Sequence, residues 1–207
     1  MDFFEMCQIE TSLFDIEFAR QDHQWAMIKK AYEHNSARKD GDCQIPKIIH
    51  FIWIGSELPK KYVEIIDGWK KHNPEFEIWI WDDKKVEPFL PQMINKELYE
   101  KTDSFGHKSD MLRCEILKRY GGLYVDVDFL CNGNFSEPHD KYCFYAGICL
   151  EKPVQLNNGI MASAPNHPIL DICISQMTLD NPWGINCPQT LVLYQTGPWA
   201  LTRSLLH

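Results

Sequence analysis

Asp126-Val127-Asp128 closes the apolar run Leu123-Tyr124-Val125, so two carboxylates stand one residue apart at the end of what reads as a buried strand. Burial strips a carboxylate of water, so such a pair calls for something positive to face it. Side chains two apart on a strand point the same way. Both aspartates can therefore address one hard divalent cation, with Mg or Mn favoured by oxygen ligands, and the groups that the cation bridges. The spelling D-x-D is common by chance. Asp40-Gly41-Asp42 repeats it in a polar turn, where a loop or cap role is the simpler reading. What sets the second copy apart is the segment before it. Ser109-Asp110 and Arg113 share one helical face, presenting a carboxylate and a fork of donors together. Gly121-Gly122 joins that helix directly to the aspartate strand. The plain alternatives are an intrahelical surface ion pair for Asp110 and Arg113, and a capped or salt-bridged strand end for the aspartates. Trp53, near the end of another apolar run, is either a core residue or an indole that stacks on a nucleobase.

These side chains need elements to hold them. Residues 1 to about 39 read as helical, with Phe14, Phe18, Trp25, Ile28 and Tyr32 on one apolar face. That face packs on the main domain, with a membrane-surface or partner helix as the alternative, although Asp15, Glu17, Asp22 and Glu33 dilute the basic character such a helix prefers. The turn-rich Lys39-Asp40-Gly41-Asp42 ends it. Strands are expected at 47–54, 76–81, 123–128, 142–148 and 159–164, and helices at 62–72, 93–100, 108–120, 168–179 and 188–206. The helix 108–120 carries the clearest helical period and stops at Gly121-Gly122. This alternation predicts an α/β domain with a mainly parallel sheet over residues 41–207, preceded by an N-terminal helical extension over 1–40. In such sheets ligands bind outside the carboxyl ends of the strands, where Trp53 and the aspartates fall.

Composition narrows the partners. The 207 residues suit a single domain. With 29 acidic against 21 basic residues the net charge is -8, and no Lys/Arg cluster stands out, which argues against nucleic acid. An anionic nucleotide-sugar needs a divalent cation and one or two placed basic groups to enter so acidic a field. The eight cysteines contain no C-x-x-C pair, and Cys114 and Cys173 fall within helical patterns as small hydrophobes, so a reducing, cytoplasmic compartment is expected. The first residues lack a basic leader, and the apolar run 48–54 is far short of the ~20 residues that cross a bilayer. The chain reads as soluble, with room for peripheral membrane association.

Three segments together resemble the D-x-D glycosyltransferase family 32 and its superfamily relatives, the initiating α-mannosyltransferases and the catalytic domains of clostridial glucosylating toxins. They are Ile45-Pro46-Lys47-Ile48-Ile49-His50-Phe51-Ile52-Trp53-Ile54-Gly55, then Lys108-Ser109-Asp110-Met111-Leu112-Arg113 with Tyr120-Gly121-Gly122-Leu123-Tyr124-Val125-Asp126-Val127-Asp128, and Asn157-Asn158-Gly159-Ile160-Met161-Ala162. Thr196-Gly197-Pro198 is a weaker fourth. The resemblance spans about residues 45 to 200. It implies a GT-A fold and Mn2+-dependent transfer of a hexose from a UDP- or GDP-sugar with retention at the anomeric carbon, Mg2+ being the alternative metal. It further implies that Trp53 stacks on the base, Asp110 and Arg113 hold sugar hydroxyls, Tyr124 and Asn158 line the donor pocket, Asp126 contacts ribose or sugar, and Asp126 and Asp128 bind metal. Asp110, Arg113 and Asp126 are then the catalytic set. The acceptor, whether glycan, protein or lipid, is not indicated.

The family continues past the Gly-Pro segment into an element that completes the metal shell, whereas this chain ends at Leu205-Leu206-His207. The last ligand is then missing, replaced by water, or His207. A non-catalytic nucleotide-sugar binding module is accordingly one alternative. A haloacid-dehalogenase-type phosphatase is another, weakened by Leu130 where that group has threonine or valine and by the absence of a later Asp-Asp pair. No Ser-His-Asp motif, P-loop or zinc spacing competes.

Overall fold

The computed structural model describes residues 2–8, 14–36, 44–149 and 154–205. Three short helices open the chain, α1 (Phe3–Gln8), α2 (Ile16–Gln21) and α3 (His23–Ser36). There follow β1 (Ile48–Ile52), α4 (Lys60–His72), β2 (Glu77–Trp81), α5 (Asp83–Val86), a 3-10 turn (Leu90–Gln92), α6 (Lys96–Glu100), α7 (Phe105–Tyr120) and β3 (Gly122–Val125). The rest is α8 (Ser136–Lys141), β4 (Phe144–Cys149), β5 (Gln155–Ser163), α9 (Pro168–Gln176), α10 (Pro188–Gln195) and α11 (Pro198–Leu205).

The five strands form one sheet in the order β2-β1-β3-β5-β4. Strands β2, β1 and β3 run parallel, with His50 beside Tyr124 and Trp79, while β5 is antiparallel to β3 and β4 to β5. The expected parallel sheet is thus found where the site lies. Only residues 150–154 separate β4 from β5, too few for a crossover, so that pair can only be a hairpin. Alternation along β1 and β3 splits the core. Ile49, Phe51, Leu123 and Val125 join Ile66 and Trp69 of α4 on one face, and Ile52 and Tyr124 join Met111, Leu112 and Ile116 of α7 with α9 and α11 on the other. Helix α7 is buried along most of its length, including Asp110, Arg113 and Glu115.

Four expectations change. The N-terminal segment is not one helix, because Asp22 leaves helical geometry and its carboxylate accepts from the backbone N–H groups of Gln24 and Trp25, starting a new helix there. Its apolar face is accordingly split: Phe14, Trp25 and Ile28 are buried with Phe3 and Phe4 against Val154, whereas Phe18 and Tyr32 are exposed. The aspartate strand ends at Val125, so Asp126 follows it and Asp128 sits in a turn closed by Phe129 N–H on Asp126 O at 3.1 Å. The helix expected over 188–206 is two, since Gly197 and Pro198 break it. Cys143 is disulfide-bonded, although a reducing compartment was expected. Cys114 and Cys173 are buried as expected, with sulfurs 3.7 Å apart. Asp40-Gly41-Asp42 and His207 lie outside the described residues.

Candidate active site

Helix α7 begins at Ser104, whose hydroxyl caps the His107 N–H, and ends where Gly121 (φ 64°) and Gly122 (φ 101°) turn the chain straight into β3. That turn fits only glycine: a Cβ on Gly122 would come within 2.6 Å of the Ile48 carbonyl. It also lies on His50, whose Nε2–H donates to Gly121 O at 2.8 Å while its Nδ1 accepts from the Trp81 indole at 3.1 Å. Helix and strand are therefore held in one fixed relation. Asp110 and Arg113 on α7 consequently face Tyr124 and Asp126 at the end of β3.

The four side chains form a closed network. Arg113 Nη2 is 3.1 Å from Asp110 Oδ1 and 3.4 Å from Asp126 Oδ1. Its Nη1 donates to Asn158 O at 2.8 Å and its Nε to Ser109 O at 3.3 Å, and the guanidinium lies 4.5 Å over the Tyr124 ring. Asp110 accepts from Asn158 Nδ2 at 2.9 Å and from the Thr196 hydroxyl at 2.8 Å, so both its oxygens are engaged. Tyr124 donates to Asp126 Oδ1 at 2.6 Å. Burial raises the Asp110 carboxyl against the pull of Arg113, Thr196 and Asn158. Burial also works against the Arg113 charge, but Tyr124, Asp126 and Asp110 around it hold its pKa above the usual value. The Tyr124 phenol is pushed well up, mainly by burial, so it remains a donor.

In front of this network opens a cleft of about 470 Å³. Its walls include Trp53, Gly55, Tyr62, Phe105, Ser109, Tyr124, Asp126 and Asp128. The Trp53 indole N–H is bonded to Ser56 Oγ and Glu57 O, both at 3.1 Å, and its ring meets Tyr62 at 5.1 Å between centroids. Of the residues singled out from sequence, Trp53, Tyr124, Asp126 and Asp128 thus meet in one cleft. Asp110, Arg113 and Asn158 stand behind its wall, buried and bonded to one another. Asp126 is held close to the chain crossing behind it: its N–H donates to Gly159 O at 2.8 Å, and a Cβ on Gly159 would fall 2.5 Å from Asp126 Oδ2.

Asp126 and Asp128 offer hard oxygen donors and nothing softer, and no group of three or more His, Cys, Asp or Glu side chains gathers around a metal position among the described residues. This donor set fits a Mg2+- or Mn2+-type ion, which takes one or two carboxylates and completes its shell with phosphate oxygens and water. Sequence reading missed the Thr196 hydroxyl as the strut of Asp110, since its partner lies 86 residues away, and it missed Tyr62 and Phe105 as cleft walls. Thr196-Gly197-Pro198 was the one local signal.

Residues 59–145 match the family described as glycosyltransferase sugar-binding region containing DXD motif. An uncharacterized glycosyltransferase of Acanthamoeba polyphaga mimivirus is 35% identical over 142 residues, 65% of this chain and 56% of that protein. Inositol phosphoceramide mannosyltransferase 3 of Schizosaccharomyces pombe is 30% identical over 175 residues, 78% of this chain and 46% of that one. The chain thus spans about half the length of these relatives. The solved structure of the PaToxG glycosyltransferase superposes with a TM-score of 0.66 over 88% of this chain and 77% of that chain, at 22% identity. Residues 59–145 are thus similar to D-x-D glycosyltransferase sugar-binding regions, and the chain has the GT-A fold.

Proposed function

We propose that the protein is a retaining hexosyltransferase that uses a UDP- or GDP-sugar and depends on Mn2+, with Mg2+ as a substitute. The observation that carries this reading is that Asp126 and Asp128 share a cleft with Trp53 and Tyr124, while among the described residues no lysine or arginine lines it. Arg113, 3.4 Å from Asp126, is already matched by Asp110 and Asp126. A diphosphate brought into such a cleft meets only negative charge, so a divalent cation held by Asp126 and Asp128 is what makes entry favourable, and it would stabilise the charge that develops on the leaving diphosphate.

The chain's own residues do the rest. Trp53 offers a ring face to the base, its N–H being already used. The Tyr124 hydroxyl and Arg113 fix the Asp126 carboxylate in one orientation, so no reorganisation is needed when the donor arrives. Asp110 and Arg113 form the rear of the sugar site, and Asn158 holds Asp110 rather than the donor directly. The sugar is attacked by an acceptor hydroxyl on the face the diphosphate leaves, with the departing phosphate taking the proton. The phosphoceramide mannosyltransferase relative favours a lipid headgroup as acceptor.

The test is Mn2+-dependent hydrolysis of a panel of UDP- and GDP-sugars by wild type and Asp128→Ala. Wild type should hydrolyse one of them, and the variant should lose about 100-fold or more. Equal, negligible rates in both would leave a nucleotide-sugar binding module in place of an enzyme.

A further inference from the structure

The two carboxylates at the end of β3 are held by unequal means. Asp126 is fixed directly from the α7 side of the sheet, by the Tyr124 hydroxyl at 2.6 Å and by Arg113 at 3.4 Å. Asp128 lies past the end of the strand and is exposed, and among the described residues its side chain has no hydrogen bond or ion pair. Its place is therefore set by its backbone. That backbone turns from Asp126 to Phe129, and both polar groups of Phe129 are engaged. The Phe129 N–H donates to Asp126 O at 3.1 Å, and its carbonyl accepts from the Trp69 indole N–H at 2.7 Å. Trp69 belongs to α4, on the face of the sheet opposite α7. It is 1% exposed, with its ring against Phe51 of β1 and against Phe135. One helical turn further on, Asn73 holds the rest of the loop: its Nδ2 donates to Gly133 O at 3.4 Å and its Oδ1 accepts from Phe135 N–H at 2.8 Å.

A buried tryptophan needs an acceptor for its N–H, and any carbonyl in the core would meet that need. The carbonyl chosen here is that of the residue after Asp128, beyond the point where β3 holds the chain. An indole locked in the core and bonded there fixes the peptide beside Asp128, and with it the reach of the carboxylate. We propose that Trp69 is a positioning residue for the divalent cation. It holds the Asp128 turn from one face of the sheet, as Tyr124 and Arg113 hold Asp126 from the other. The inference rests on the metal-dependent transfer reading and adds to it a residue that touches neither donor nor metal. Groups that orient a metal's ligands from behind act on its affinity, so the effect of Trp69 is read in metal binding before it is read in turnover.

The experiment is titration of the purified chain with Mn2+ alone, bound metal being read from the loss of the free-ion signal in electron paramagnetic resonance. Trp69→Phe keeps an aromatic ring in the core and deletes the donor, and should weaken Mn2+ binding about tenfold or more. Replacing the indole of Trp69 by its benzothiophene isostere, which has the same shape and no N–H, should give the same loss with the core intact. Ile66→Val, in the same core and without a bond to the turn, should lower the melting temperature and leave Mn2+ affinity unchanged. In donor hydrolysis the Trp69→Phe variant should need about tenfold more Mn2+ for half-maximal rate and reach the wild-type kcat at saturation. Unchanged Mn2+ affinity in the isostere overturns the proposal, and so does an equal loss in Ile66→Val, which would make the effect one of general stability. A wild type that binds no Mn2+ overturns it as well. Mn2+ binding that depends on Trp69, in a chain that hydrolyses no UDP- or GDP-sugar, would sink the transfer reading and leave the positioning role standing.

Discussion

At the scale of the residue, Asp110 is the most demanding group in the protein. It is 5% exposed, beside a guanidinium at 3.1 Å, with one oxygen accepting from Asn158 and the other from Thr196. Removing one partner from a buried carboxylate costs about 1.5–3 kcal/mol, because the orphaned oxygen has no water to turn to. Thr196→Val, which keeps the shape and deletes the hydroxyl, should lower stability by about 2 kcal/mol in urea unfolding and raise the KM for donor as Asp110 and Arg113 shift behind the cleft. Thr196→Ser should restore both. A valine variant with wild-type KM would mean that Asp110 is held well enough without it. Asp110, Arg113, Asp126 and Asp128 were legible in sequence because one helix turn and one strand end carry them. Thr196 was legible only as part of a Thr-Gly-Pro segment, since a threonine announces no partner.

At the scale of the element, the decisive feature is the join of α7 to β3. A helix carrying an ion pair and a strand ending in aspartates become one site only if the turn between them has a single geometry. Gly121 and Gly122 supply it, through positive φ angles that side chains resist and through contact with Ile48 O and His50 too close for a Cβ. Gly122→Ala combines backbone strain with overpacking, and should destabilise the fold by about 3 kcal/mol in chemical denaturation. A loss below the error of that measurement would show that the turn relaxes freely. The sequence marked this turn correctly as a helix stop. It placed the end of β3 three residues late, because Asp126-Val-Asp128 keeps the alternation of a strand although Asp128 sits in a turn.

At the scale of the whole molecule, the histidines whose pKa burial lowers, His50, His139 and His167, together weaken the fold in acid, against the raised carboxyls of Asp110 and Glu115. His50 is fully buried between Gly121 and Trp81, and burial lowers its pKa from 6.5 to about 4. His139 is lowered to about 4 as well, again mainly by burial. The unfolded chain takes up these protons below about pH 6.5 and the folded chain does not until about pH 4. Stability is therefore intact above 6.5 and falls as pH drops through that window, by about 3 kcal/mol for His50. Melting temperature should decline steadily from pH 6.5 to 4, and His50→Gln should flatten part of the slope. An unchanged slope in that variant would remove His50 from the account. The site at the strand ends belongs to this scale too, since Val192 of α10 packs on Gly106, where α7 walls the cleft.

The sequence by itself determined the chemistry on offer and the order of the elements. Strand and helix periods are local, glycine pairs stop helices wherever they stand, and paired carboxylates need a cation in any fold. Only the tertiary structure decided which groups face the cleft. It placed Asp110, Arg113 and Asn158 behind the wall and brought Thr196 to Asp110 across 86 residues. It also split the N-terminal helix at Asp22 and paired β4 with β5 as a hairpin. The physical reason is common to all of these. A buried polar group must find its partners wherever packing puts them, and packing is a property of the closed core rather than of any segment within it.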